Sequence, residues 1–112
     1  MTKEQKKYFP QTKEELRSLI EQRIKDEGNA VDLNDIDVSA ITDMFELFAY
    51  NSDFNGDISS WNVSNVTNMN AMFLGCYRFN QDLSKWNVYK VEHNTLIFYN
   101  CPIKEEYKPR FK

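Results

Sequence analysis

Asp57-Ile58-Ser59-Ser60-Trp61-Asn62-Val63-Ser64-Asn65-Val66 recurs as Asp82-Leu83-Ser84-Lys85-Trp86-Asn87-Val88-Tyr89-Lys90-Val91, and more faintly as Asp32-Leu33-Asn34-Asp35-Ile36-Asp37-Val38-Ser39-Ala40-Ile41. The offset is 25 residues each time, and further columns keep it: Met44 with Met69, Leu47 with Met72 and Ile97, Phe48 with Phe73 and Phe98, Phe54 with Phe79, Cys76 with Cys101. The Trp61 and Trp86 column runs back to Ile36 and on to Phe111. A fixed period of this size marks a repeat architecture, in which units too small to bury their own apolar side share a core with their neighbours. Within a unit, Asp57 to Trp61 has apolar ends around small polar residues and reads as a short strand. Met69, Met72 and Phe73 then fall at helical spacing, with Ser64, Asn65 or Thr67 as possible N-caps and Gly75 as the stop. The fold class expected is an α/β repeat solenoid of 25-residue units, each a short strand plus a short helix.

The chain outside the repeats reads differently. Thr12-Lys13-Glu14-Glu15 has the form of a capping box and opens an amphipathic helix with Leu16, Leu19, Ile20 and Ile24 on one face, ending near Gly28. A solenoid needs such a cover over its open end. Residues 102–112 carry two prolines and six charges and read as the opposite cap. The expected organisation is one domain over 1–112: a cap helix in 1–30, about three stacked repeats in 31–101, and a capping tail in 102–112.

Composition bounds the function. The 112 residues are 41% hydrophobic and 28% charged, values of a soluble globular protein. Eight Phe, six Tyr and two Trp suggest a core of stacked rings. A net charge of −3 and an isoelectric point near 5.1 oppose general nucleic-acid binding, which needs a basic surface. No apolar run approaches the roughly 20 residues that cross a bilayer. The charged start, Met1-Thr2-Lys3-Glu4-Gln5-Lys6-Lys7, is not followed by the apolar segment of a secretory signal, so a cytoplasmic location is expected, with incorporation into a larger assembly as a further option. Charge is also segregated: Asp26 to Tyr77 holds nine acids and no Lys or Arg, while Lys3, Lys6 and Lys7 lie at one end and Lys104, Lys108, Arg110 and Lys112 at the other. This is either a solvated surface or an acidic flank that steers a basic partner or meets another copy.

The phrase Phe54-Asn55-Gly56-Asp57-Ile58-Ser59-Ser60-Trp61-Asn62-Val63-Ser64-Asn65-Val66-Thr67-Asn68-Met69, followed by Met72-Phe73 and Gly75-Cys76, resembles the repeat of BspA-like leucine-rich-repeat surface proteins, found also in mycoplasma-type lipoproteins of unknown function. Thr12-Lys13-Glu14-Glu15-Leu16 and the ending Cys101-Pro102-Ile103-Lys104-Glu105-Glu106-Tyr107 resemble the ends of such proteins. The resemblance implies a right-handed leucine-rich-repeat-like solenoid and roles in adhesion or protein–protein contact. It implies no catalytic residues. Larger members are exported, and others are encoded by phages and mobile elements.

Several individual side chains admit both a chemical and a structural reading. Cys76 and Cys101, one period apart, fit a buried thiol ladder or a disulfide. Asp53, Asn55 and Asp57 imitate the start of a calcium loop, but Gly56 and Ser64 stand where that loop wants other residues, and the Asp32, Asp57, Asp82 column reads as turn-forming carboxylates. Asn62 and Asn65 open formal glycosylation sequons inside the repeat motif. His93 shares a column with Asp43 and Asn68 and reads as an exposed helix position. Trp61, Trp86 and Phe111 fit an interior ring ladder better than a stacking platform, since Ile36 precedes them. No nucleophile, phosphate loop or ligand cluster suggests catalysis, a metal or a cofactor. The expectation is a non-enzymatic protein-interaction module, contacting another protein or another copy of itself. Its candidate contact face is Asn34, Asp35, Ser59, Ser60, Ser84 and Lys85, the positions between buried columns. The alternatives are a structural or decoration subunit, as in a phage virion, and a fragment of a bacterial surface adhesin.

Overall fold

Thr12 begins the first element as the sequence predicts. Its hydroxyl accepts the Glu15 N–H at 3.1 Å, and helix α1 runs over Lys13–Glu27 until Gly28, at φ 94°, donates its N–H back to the Ile24 carbonyl. The capping box is offset by one residue: the Glu15 carboxylate reaches the Gln11 N–H at 2.7 Å rather than that of Thr12. Leu16 and Ile20 are fully buried, with Leu19 and Ile24 packed against the same core. The computed structural model describes residues 5–111; Lys3 and Lys112, counted above among the basic ends, lie outside the described residues.

After α1 the expected architecture fails. The α/β repeat solenoid of strand-plus-helix units, and with it the leucine-rich-repeat description, is not what the chain forms. Among the described residues α1 is the one α-helix, joined by a single 3-10 turn at Glu105–Tyr107. These residues form no sheet, only isolated parallel bridges: Tyr8 with Ile36, Asp32 with Asp57, Asp43 with Asn68, and Asn68 with His93. The whole measures 32 × 27 × 26 Å, a compact globule rather than an elongated stack.

The reason is visible in the segments 44–50, 69–75 and 94–100, where helices were expected. Each is a run of turns closed by bonds three residues apart, for example Leu47 N–H to Met44 O and Asn51 N–H to Phe48 O. In its type II form such a turn requires a left-handed residue at its third position. Glu46, Tyr50, Ala71, Gly75, Leu96 and Asn100 occupy it, with φ between 55° and 74°. The intervening N–H groups then point sideways. Those of Met44, Glu46, Phe48 and Tyr50 donate to the carbonyls of Asn68, Asn70, Met72 and Leu74, and those of Met69, Ala71, Phe73 and Gly75 to His93, Thr95, Ile97 and Tyr99. An isolated helix this short pays a full nucleation cost for very few bonds. Turns bonded to neighbours satisfy every second donor without it, and outweigh the strain of left-handed non-glycine residues.

Ser64, Asn65 and Thr67 therefore cap no helix. Ser64 donates through both N–H and hydroxyl to the Asn62 side chain, the Asn65 amide donates to the Ser39 carbonyl, and Thr67 N–H donates to Thr42 O. The expected turn-forming carboxylates are found: Asp32 accepts the Asn34 N–H, and Asp57 and Asp82 accept those of Ser59 and Ser84.

Inside these turns lies an array of rings. Phe48, Phe73 and Phe98 stack at 5.4 and 5.5 Å between centroids; Phe54 and Phe79 stack at 5.8 Å, and the two rows are joined by Phe48–Phe54 at 4.5 Å and Phe73–Phe79 at 4.4 Å. Trp61 and Trp86 are buried, as expected, and each finds the polar partner that a buried indole needs. Their Nε1–H groups donate to the carbonyls of Leu33 and Ile58, at 2.9 and 3.2 Å. Phe111, the last residue of that column, packs half-buried on the same core.

Candidate contact surface

The six residues expected to form one exposed face are divided by the structure. Asn34 is wholly buried: its side-chain oxygen accepts the Ser60 N–H at 2.8 Å, and its carbonyl accepts from Lys6. Asp35 is half-buried and paired with Arg23 of α1 at 2.9 Å, while its carbonyl accepts the N–H groups of Lys7 and Tyr8. Asn34 and Asp35 are thus corrected from contact residues to structural ones, because the N-terminal segment and α1 cover them. Ser59 and Ser60 are partly exposed, and the Ser59 hydroxyl is turned onto Asp57. Only Ser84 and Lys85 are open, lining a depression of about 490 Å³ with Glu105, Glu106, Lys108, Pro109 and Arg110.

The acidic flank is partly answered within the chain. Lys13 pairs with Asp43 at 3.4 Å, Arg23 with Asp35, and the Arg17 guanidinium donates to the carbonyls of Phe45 and Glu46. α1 therefore brings a row of cations to the first acids of the flank. Asp53 pairs with Arg78 at 3.5 Å, and Asn55 accepts the Asn80 N–H, so both belong to local contacts. Among the described residues no three His, Cys, Asp or Glu side chains converge as a metal site would need. His93 is exposed, as the sequence indicates, but it sits at a parallel bridge to Asn68 rather than on a helix.

A different surface was hidden in the aromatic count. Tyr50, Tyr77 and Tyr99 are 71%, 61% and 57% exposed, whereas Phe48, Phe54, Phe73 and Phe79 are buried. Their backbones lie close to Gly75. A Cβ on Gly75 would lie 3.1 Å from the Tyr50 ring, the Gly75 N–H donates to the Tyr99 carbonyl at 2.9 Å, and Tyr77 follows two residues along. Gly75, at φ 74°, thus lets the Tyr50 ring lie close over the backbone while the chain turns. Beside Tyr50 a shallow depression of about 260 Å³ is lined by Arg17, Glu21, Glu46, Leu47, Ala49 and Asn51. The signal was present in the sequence: these tyrosines stand outside the apolar columns, with Gly75, Ser52 and Leu74 one period from Tyr50, Tyr77 and Tyr99 respectively.

Residues 15–106 match the family described as "Mycoplasma protein of unknown function, DUF285". The chain belongs to that family. The matched span opens inside α1 and closes inside the 3-10 turn, so it covers most of this chain's helix together with its ring core and its exposed tyrosines. Neither a curated protein nor a solved structure matches the chain. No helix among the described residues is long and apolar enough to cross a membrane.

Both cysteines are free thiols. Cys76 is buried and points its Sγ at the Phe48 carbonyl, 3.0 Å away; Cys101 is half-buried, 3.6 Å from the Phe79 carbonyl. Burial pushes the Cys76 thiol from its ordinary 9.0 up to about 12, and that of Cys101 upward too. The thiolate is the reactive form. In native protein at pH 8, Cys101 is expected to react with iodoacetamide well before Cys76, read by peptide mass after timed quenching. Equal rates would contradict the burial. Because unfolding restores the ordinary acidity of Cys76, its contribution to stability is complete below pH 9 and is lost as pH rises toward about 12.

Proposed function

We propose that the protein is a non-enzymatic contact module that binds another protein through the tyrosine surface around Gly75. The observation that carries this reading is the exposure of Tyr50, Tyr77 and Tyr99 at one place on a ring-packed core. Tyrosine supplies large, amphipathic contact area with few rotatable bonds, and is enriched at interfaces for that reason. A core of stacked rings under backbone-bonded turns holds the backbone of such a surface in place, which lowers the ordering cost of binding. The resemblance of residues 54–76 to the repeat of BspA-like surface proteins supports the same reading, since adhesion and protein contact are the roles that resemblance implies.

The test compares wild type with the Y50A/Y77A/Y99A variant. All three side chains are exposed, so folding stability should change by about 0.5 kcal/mol or less per site. Affinity capture from cells that make the protein, followed by mass spectrometry, is expected to lose its specific partners with the variant. Recovery of the same partners at undiminished yield, with both proteins equally folded, would remove the tyrosine surface from consideration.

A further inference from the structure

The three turn runs 44–50, 69–75 and 94–100 lie side by side with a direction. Alternate N–H groups of the first donate to the second, and those of the second donate to the third. The third run has the same conformation, with Leu96 and Asn100 at φ 59° and 57°, yet the N–H groups of Asn94, Leu96, Phe98 and Asn100 take no partner among the described residues. Every carbonyl from His93 to Tyr99 is already occupied, by the second run or by the run's own turns. The edge is therefore a row of donors, not the mixed row of an ordinary strand edge. Leu96 is 54% exposed beside it, Tyr99 is exposed, and Phe98 is half-buried under the Lys108 ammonium at 5.6 Å from its ring.

We infer that the 94–100 edge docks a segment of a partner polypeptide that adopts the same run of turns and lays a row of alternate carbonyls on these four donors. The inference rests on the contact-module reading and names the chemistry of its partner. The edge continues an interface formed twice within the chain, so the fitting occupant is defined by those two pairings. It must tolerate left-handed backbone at two positions four residues apart, as at Ala71 and Gly75, and present apolar side chains like those of Met72 and Phe73 over Ile97 and Phe98. A second copy is a poorer fit. Its carbonyls at Asn68, Asn70, Met72 and Leu74 are bound by its own first run, those from His93 to Tyr99 are bound too, and its first run lies against α1, with Arg17 on the carbonyls of Phe45 and Glu46. Two such donor rows placed face to face share no acceptor. Unpaired backbone on an edge is a ready template for added chain.

The probe is a fluorescein-labelled synthetic peptide with the sequence of residues 67–77 carrying Cys76→Ser, titrated into the full chain. Saturable anisotropy is expected, with amide hydrogen exchange slowed at Asn94, Leu96, Phe98 and Asn100. The same peptide with Gly75→Val cannot easily take the left-handed turn, and should bind about tenfold more weakly, which corresponds to about 1.4 kcal/mol. Absence of saturable binding, protection confined to other amides, or equal affinity for the Gly75→Val peptide would each overturn the inference. So would a dimer of the free protein in sedimentation that already protects those four amides, since a second copy would then be the occupant. If the peptide fails while Y50A/Y77A/Y99A still loses its captured partners, the edge alone is rejected; failure of both rejects the contact module itself.

Discussion

Replacing Phe73 by alanine is expected to destabilise the protein by about 3–5 kcal/mol, the range for removing a buried ring. Phe73 is fully buried and is the hub of the aromatic array: it stacks on Phe48 at 5.4 Å, on Phe79 at 4.4 Å and on Phe98 at 5.5 Å, and approaches Trp86 at 6.4 Å. The vacancy cannot close easily, because the rings around it belong to runs fixed to one another by backbone hydrogen bonds on either side. With a total stability of roughly 5–15 kcal/mol for a domain, one such change removes a large part of it. Urea unfolding followed by Trp fluorescence should show a lower midpoint at unchanged slope. A loss under about 1 kcal/mol, the size of a surface change, would mean that the rings do not pack as described.

Deleting residues 1–30 is expected to abolish the soluble, monomeric fold. The deletion takes Leu16 and Ile20 out of the core, each worth roughly 1.5–3 kcal/mol of burial. It also strips the Arg17 guanidinium from the carbonyls of Phe45 and Glu46, Arg23 from Asp35, and the Tyr8 bridge from Ile36. What remains would present unpaired carbonyls and fully buried residues such as Leu33 and Ile36 to water, a template for association. Sedimentation velocity should find aggregate or an unfolded chain. A folded monomer of residues 31–112 would show that α1 is an appendage rather than a cover. The N-terminal segment thereby serves two purposes: it lays Arg17 on the carbonyls of Phe45 and Glu46 in the first turn run, and it sequesters Asn34 and Asp35. That burial is also why the contact face read from the sequence is open only at Ser84 and Lys85.

Much of this molecule could be read before its structure, and the division follows the range of the forces involved. Burial was legible at the recurring columns, because apolarity is a property of the side chain itself: Phe48, Phe73, Trp61 and Trp86 had to leave water whatever backbone carried them. So was α1, since the Thr12 cap and the helical spacing of Leu16 and Ile20 act within a few residues. The backbone of 44–50, 69–75 and 94–100 was decided only in the tertiary structure. Met69, Met72 and Phe73 fit a helix locally, but hydrogen bonds between residues about 25 apart chose turns, at the cost of left-handed Glu46, Tyr50, Ala71, Leu96 and Asn100. The tyrosine surface and the donor edge belong to the same category. A ring's exposure and an amide's lack of a partner depend on what lies beside them in space, which no local pattern states.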